Sequence, residues 1–282
     1  MDDTVNFAYY NGVIGFLIKK TFFDLWDNML RIVLLNLGFI LSLAIPIVLP
    51  GFIPIPVLTI VMALAGLLWC FVYLAAVALS VKAISDHKIF GFADFGENIK
   101  AGWQAGMVMG LVCFFFFAVV RYTIPFYLRM NSIVGLLLSA VIFWTLIVAL
   151  ISFQFFFAIR SRLDTKPLKI IKKCFIIFFD NPGFSIFSLL HTMLTLALSV
   201  FFALLLPGPA GILLFLDEGL RLRLMKYDWL EVVSKGDASP EAANPPTDPP
   251  RRQRIPWDII LIEEREKTGS RTLRNFIFPW KD

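Results

Sequence analysis

The segment FSIFSLLHTMLTLALSVFFALLL, residues 184–206, decides the fold class. It exceeds the ~20 apolar residues a helix needs to cross a bilayer. Within it Ser188, His191, Thr192, Thr195 and Ser199 recur at helical spacing and fall on one stripe. A polar stripe on a spanning helix must face protein or water rather than lipid. The chain therefore reads as a multi-span membrane protein with polar groups inside its bundle.

Composition agrees. Hydrophobic residues make up 58% of the chain and the mean hydropathy is +0.76. A soluble domain is nearer half apolar and lacks such long uncharged runs. The formal charge of +5 is too small to point to nucleic acid, and basic residues in a membrane protein chiefly report orientation. Cys70, Cys113 and Cys174 lie in or beside apolar segments without metal-ligand spacing. They read as small buried hydrophobes, with no metal site and no disulfide framework expected. The chain opens Met-Asp-Asp with no early basic region, and its first long apolar run begins near Ile32. No cleaved signal peptide is expected.

Working outward, Asn181-Pro182-Gly183 launches the segment and Pro207-Gly208-Pro209 ends it. Upstream, apolar runs at about 32–49, 57–81, 102–120 and 133–158 supply four more spans. Downstream, residues 210–230 form a weaker sixth, because Asp217, Glu218, Arg221 and Arg223 follow only a short apolar run. Residues 1–31 mix Lys19, Lys20, Asp24 and Asp27 with Phe16, Phe22, Phe23 and Trp26, the pattern of an interfacial amphipathic segment. Residues 89–99 and 167–180 read as amphipathic elbows on one side of the membrane. The expected fold is an all-α integral membrane protein: five full transmembrane helices, a weaker sixth, and two amphipathic cytoplasmic elbow helices. Its parts are an interfacial segment (1–31), a bundle (32–233), a disordered linker (234–250) and a helical, aromatic tail (251–282).

Loop charge sets the orientation. Lys82, Lys88 and Lys100 lie in one loop, and Arg160, Arg162, Lys166, Lys169, Lys172 and Lys173 in the next on that side. The alternate loops hold only Arg121 and Arg129. The positive-inside rule puts the N-terminus and both elbows in the cytoplasm, and the C-terminus too if the sixth segment crosses. Span, basic exit, elbow, Asn (Asn98, Asn181) and span occur twice in that order. This suggests two related units in parallel orientation.

Several groups are candidates for function. Gly102, Gly106 and Gly110 open the third span at four-residue spacing, suited to close helix packing within the bundle or at a homodimer seam. The stripe of Ser188, His191, Thr195 and Ser199 either bonds between helices or lines a cavity where His191 binds a ligand or relays a proton. Asp217 and Arg221, four apart with the acid first, suit an intrahelical pair if they lie within the bilayer, or solvated charges if the helix leaves it at Leu216. Lys169, Lys172 and Lys173 sit where lipid headgroups would be. Trp257, Phe276, Phe278 and Trp280 make a tail that docks on the protein's cytoplasmic face or a partner, or dips into the lipid interface. No nucleophile–base pair, phosphate loop or metal-binding motif occurs, so neither catalysis nor a cofactor is expected.

The opening FFDLWDN (22–28), the LLNL run (34–37) and Pro46 carry a resemblance, joined by the aromatic elbow at 90–102 and the second elbow ending in Asn181-Pro182. In these features residues 20–230 resemble the YesL-like family of small bacterial polytopic membrane proteins, whose function is unknown. Members often lie near carbohydrate uptake systems. The resemblance implies an accessory or scaffold protein of the bacterial inner membrane, with lipid as a partner and a membrane protein as a further candidate. A small-solute transporter or channel using the polar stripe is the alternative, and a lipid-handling protein the next.

Overall fold

The computed structural model describes residues 3–88, 91, 93–234 and 255–269. Helices, turns and short connections account for all of them, with no strand among the described residues. The chain divides into two compact units: Asn28–Asp217, and Met1–Asp27 together with Glu218–Asp282.

The first helix, α1 (Asp3–Asp27), belongs to the smaller unit. The larger unit holds α2 (Met29–Val48), α3 (Pro56–Ser85), α4 (Ala93–Ala118), α5 (Ile124–Arg129), α6 (Ile133–Phe153), α7 (Phe156–Arg162), α8 (Pro167–Asp180) and α9 (Pro182–Phe201). Five stretches are long and apolar enough to cross a membrane: Met29–Phe52, Pro56–Ser85, Ala93–Arg129, Ile133–Arg162 and Pro182–Phe201. The protein is thus an all-α membrane protein. Proline opens α3, α8 and α9 within their first turns, where its missing N–H costs nothing. The Ser132 side chain accepts from Gly135 N at 3.1 Å and caps α6.

Helix α10 (Gly208–Ser234) contributes its first half to the larger unit and its second half, from Glu218, to the smaller. The smaller unit is completed by α11 (Trp257–Ile260) and α12 (Ile262–Thr268).

Three features differ from the sequence reading. The first elbow is not a separate helix: from Ala93 its residues are the opening turns of α4, which runs unbroken to Ala118. Nothing between them breaks a helix, and glycine is tolerated where another helix approaches closely. Ile89, Phe90 and Phe92, the elbow's start, lie outside the described residues. Helix α2 matches the first apolar run and carries Pro46 inside it, packed against Gly66 of α3. The fifth span ends at Phe201, not near Leu206, because Ala203 and Leu204 take positive φ values of 51° and 63°. Asn36 holds this break. Its amide donates to the carbonyls of Leu205 (2.9 Å) and Pro207 (2.8 Å), and its Oδ1 accepts from Ala210 N (2.8 Å). Gly208, at φ +61°, passes so close to Asn36 that a Cβ there would sit 2.3 Å from its Nδ2. Finally, Lys20, Thr21 and Asp24 of the N-terminal segment are buried rather than laid along a surface.

In the larger unit α3 packs along α4 and against α2. The Gly102–Gly106–Gly110 face is the α3–α4 seam. A Cβ on Gly106 would lie 2.4 Å from Val72 Cα, and one on Gly110 2.7 Å from Leu68 Cδ2. Phe155, Phe156 and Ile159 fill the core beside Ile170 and Cys174 of α8.

Candidate functional site

The most concentrated polar chemistry lies in the smaller unit. Helical spacing puts Lys20, Thr21 and Asp24 on one face of α1, and Glu218 and Arg221 on one face of α10. Lys20 Nζ lies 2.5 Å from Asp24 Oδ2 and 3.2 Å from Glu218 Oε1. The Thr21 hydroxyl donates to the other oxygen of Glu218. The third contributor is the tail. Glu264 of α12 accepts from Arg221 at 2.6 Å and places its second oxygen 3.9 Å from Lys20 Nζ. Lys20, Glu218 and Glu264 are each about 1% exposed.

The tail reaches this position because one stripe of it is buried. Trp257, Leu261, Glu264 and Thr268 follow helical spacing and face inward, while Asp258, Ile259, Glu263 and Glu266 face out. Thr268 bonds back to the Glu264 carbonyl at 2.7 Å, and Lys19 Nζ reaches the Gly269 carbonyl at 3.5 Å. Three buried carboxylates and two cations from three chain segments thus share one water-poor site. Burial pushes the Glu218 carboxyl well above the usual carboxylate range, and the neighbouring Asp24 adds to this against Lys20. Burial pulls Lys20 down, but Glu218, Asp24 and Glu264 outweigh it and its ammonium is held above the ordinary value. The site can hold a proton on Glu218 and can clamp an acidic helix. It offers no nucleophile.

The expected Asp217–Arg221 pair gives way to two separate arrangements. Arg221 is engaged by Glu264, while Asp217 takes both ends of the Arg162 guanidinium (2.9 and 2.5 Å) and the Ser161 hydroxyl (2.9 Å). Arg162 also reaches Asp86 at 3.0 Å and Ser85 at 2.9 Å, tying the ends of α3 and α7 to α10. A forked guanidinium satisfies a buried carboxylate better than a neighbour on the same helix can. Asp217 and Glu218 are buried, so these two charges are not solvated, whereas Asp228 and Glu231 further along the helix are exposed.

The polar stripe of α9 is mostly consumed internally. The Ser199 hydroxyl donates to the Thr195 carbonyl (2.6 Å) and accepts from Gly208 N (3.0 Å). His191 stacks on Phe215, centroids 3.7 Å apart, with Nδ1 3.4 Å from the Thr195 hydroxyl. Ser188 Oγ, Thr192 Oγ1 and Gln154 Oε1 are buried without a hydrogen-bond partner among the described residues. Gln154 sits at the break between α6 and α7 and donates to the Ser185 carbonyl at 2.8 Å.

On α8, Lys169 and Lys172 are exposed beside the exposed Leu168, Ile176 and Phe179, whereas Lys173 pairs with Asp164 at 3.4 Å. Trp257 is buried in the docked stripe, and Phe276, Phe278 and Trp280 lie outside the described residues.

Sequence reasoning missed the roles of Lys20, Asp24, Glu218 and Glu264. A signal existed in the charges of α1 and α10, each flanked by large apolar residues. Glu264 had none, being one of several acids in a charged run. No protein-family model, curated protein or solved structure matches the chain.

Proposed function

We propose that the protein is an accessory or scaffold protein of the bacterial inner membrane, and that the smaller unit is where it meets a partner. The observation that carries this is Glu264, seated between Lys20 and Arg221 at 3.9 and 2.6 Å. A short helix held by charged contacts in a buried site is a module that a competing acidic helix could replace. The internal bonding of His191, Thr195 and Ser199 also favours a packing role for the fifth span. By the positive-inside rule the N-terminus and α8 lie in the cytoplasm, and the C-terminal tail too where α10 crosses. The YesL-like resemblance points the same way, toward a role beside a solute uptake system.

Purification of the native protein in mild detergent tests the reading. A partner retained in stoichiometric amount, and retained differently by Glu264→Ala, is the expected result. A bound small solute with no partner would overturn it. That second reading, a small-solute binder or transporter, is favoured by one observation: the orphaned buried oxygens of Gln154, Ser188 and Thr192. Each costs about 1–3 kcal/mol if left unmet, and a polar solute would meet them.

A further inference from the structure

Between the third and fourth spans the chain does not simply turn. Helix α4 passes at Ala118 into a π-helical turn, Val119–Thr123, and then into α5. Pro125 lacks the N–H that would bond the carbonyl four residues back, so a regular α-helix cannot continue unchanged. Isolated π turns inside helices recur at functional sites because they re-aim side chains. Here the distortion opens a concave site of about 690 Å³ lined by Arg121, Tyr122, Thr123, Pro125, Tyr127 and Arg129. Arg121 lies over the Tyr122 ring, 5.7 Å from its centroid. Arg121, Tyr122 and Arg129 are exposed, and neither arginine has an ion-pair partner among the described residues.

The charge around this site is one-sided. In the larger unit the connections on this side of the bundle are residues 49–56, 119–132 and 202–208. They contain no Asp, Glu or Lys, and Arg121 and Arg129 are their only charged residues. Nothing in these connections neutralises the two guanidinium groups. The two charges of these connections thus share one concavity.

We infer that Arg121 and Arg129 form a binding site for a phosphate-bearing anion, with Tyr122, Thr123 and Tyr127 as hydroxyl donors. Guanidinium forks match phosphate oxygens two at a time, and two forks suit a group with several equivalent oxygens. Tyrosine is enriched at headgroup depth, where a span meets water. The anion can come from a phospholipid headgroup or from a soluble phosphorylated molecule, since both present the same oxygens.

The test uses the full chain carrying Lys169→Gln and Lys172→Gln, which removes the exposed lysines of α8 as a second anion surface. Lipid retention is read by native mass spectrometry with phosphatidylglycerol or phosphatidylcholine, and competition with glycerol 3-phosphate. The inference expects phosphatidylglycerol to be held at least tenfold more tightly than phosphatidylcholine, and Arg121→Gln with Arg129→Gln to abolish that preference. Binding of glycerol 3-phosphate that the same changes remove would instead assign the site to a soluble anion. Equal retention of both lipids without glycerol 3-phosphate binding overturns the inference whatever the variants do. So does a preference that survives both changes. If the double variant does not fold, each single change is read in the same way. Arg129→Lys should lose part of the preference, because an ammonium keeps the charge without the fork.

Discussion

The α9 stripe and the α1–α10–α12 charge cluster are both polar regions in an apolar chain, yet they are satisfied in opposite ways. In α9 the bonds are local: Ser199 to Thr195, Thr195 to His191, with Gly208 only nine residues away from Ser199. In the cluster the partners are separated by up to 198 and 250 residues, Lys20 with Glu218 and Lys19 with Gly269. Hydroxyls can be served by their own helix backbone. Buried charges cannot, and must recruit opposite charge from elsewhere in the chain. A polar stripe is thus visible in sequence and weak in tertiary information. Scattered charges are hard to read and decide how the smaller unit closes.

The comparison breaks first at Lys20. Lys20→Met should destabilise the smaller unit by about 3–5 kcal/mol, since it takes the ammonium away from the buried carboxylates of Asp24 and Glu218. Limited proteolysis in detergent should show faster cleavage between Trp257 and Gly269, against little change for Thr195→Val in α9. Equal protection in the two variants would mean that the tail is held by Trp257 and Leu261 alone.

The next effect depends on pH. Glu218 holds its proton more tightly in the folded unit than in the unfolded chain. Above the ordinary carboxylate value of 4.5 and up to its raised value, the folded state therefore binds more protons. Stability falls as pH rises through that window, by at most about 1.4 kcal/mol per pH unit. Lys20 acts at the alkaline end: its contribution is present below 10.5 and lost as pH rises through its higher folded value. Glu218→Gln should flatten the first slope and weaken the second, because Glu218 is the largest of the charges that hold Lys20 up. Thermal midpoints measured from pH 5 to 9 check this, and an unchanged slope would mean that Glu218 stays ionised.

A third effect is steric. Gly106→Leu pushes a side chain into the Val72 backbone, where even a Cβ would come within 2.4 Å of Cα. Overpacking of this kind costs about 1–3 kcal/mol. The thermal midpoint of the detergent-solubilised protein should drop, with Gly96→Leu, which meets open space, as the control.

How much was legible follows the same division. The five spans could be read because length and hydropathy are local properties. The glycine seam was readable for the same reason, although its partner α3 was not. Asn36 shows the limit. It stands out as the single amide in its LLNL run, but its role depends on a break more than 160 residues downstream that it ties with three bonds. The docked tail was expected from the contrast between Trp257, Ile259 and Ile260 and the polar stretch before them. What seats it, Glu264 against Lys20 and Arg221, is charge pairing at long range, to which hydrophobic patterning is blind.

The smallest expected effect sharpens the comparison most, because it separates a packing residue from a working one. His191 stacks on Phe215 at 3.7 Å with an interplanar angle of 17°, and its one polar contact among the described residues is the long 3.4 Å approach to Thr195. His191→Phe keeps an aromatic ring for the stack and gives up only that contact. Side-chain pairs four apart on one helix contribute about 0.2–0.5 kcal/mol, so the variant should melt within a degree or two of wild type. The Lys20→Met variant removes a residue that sequence reading did not single out and should be far worse. If His191 instead binds a solute or passes a proton, His191→Phe should fold normally and lose that activity outright. Solute uptake or proton flux in reconstituted vesicles would show it, and such a loss would move the working chemistry of the protein from the charge cluster to the fifth span.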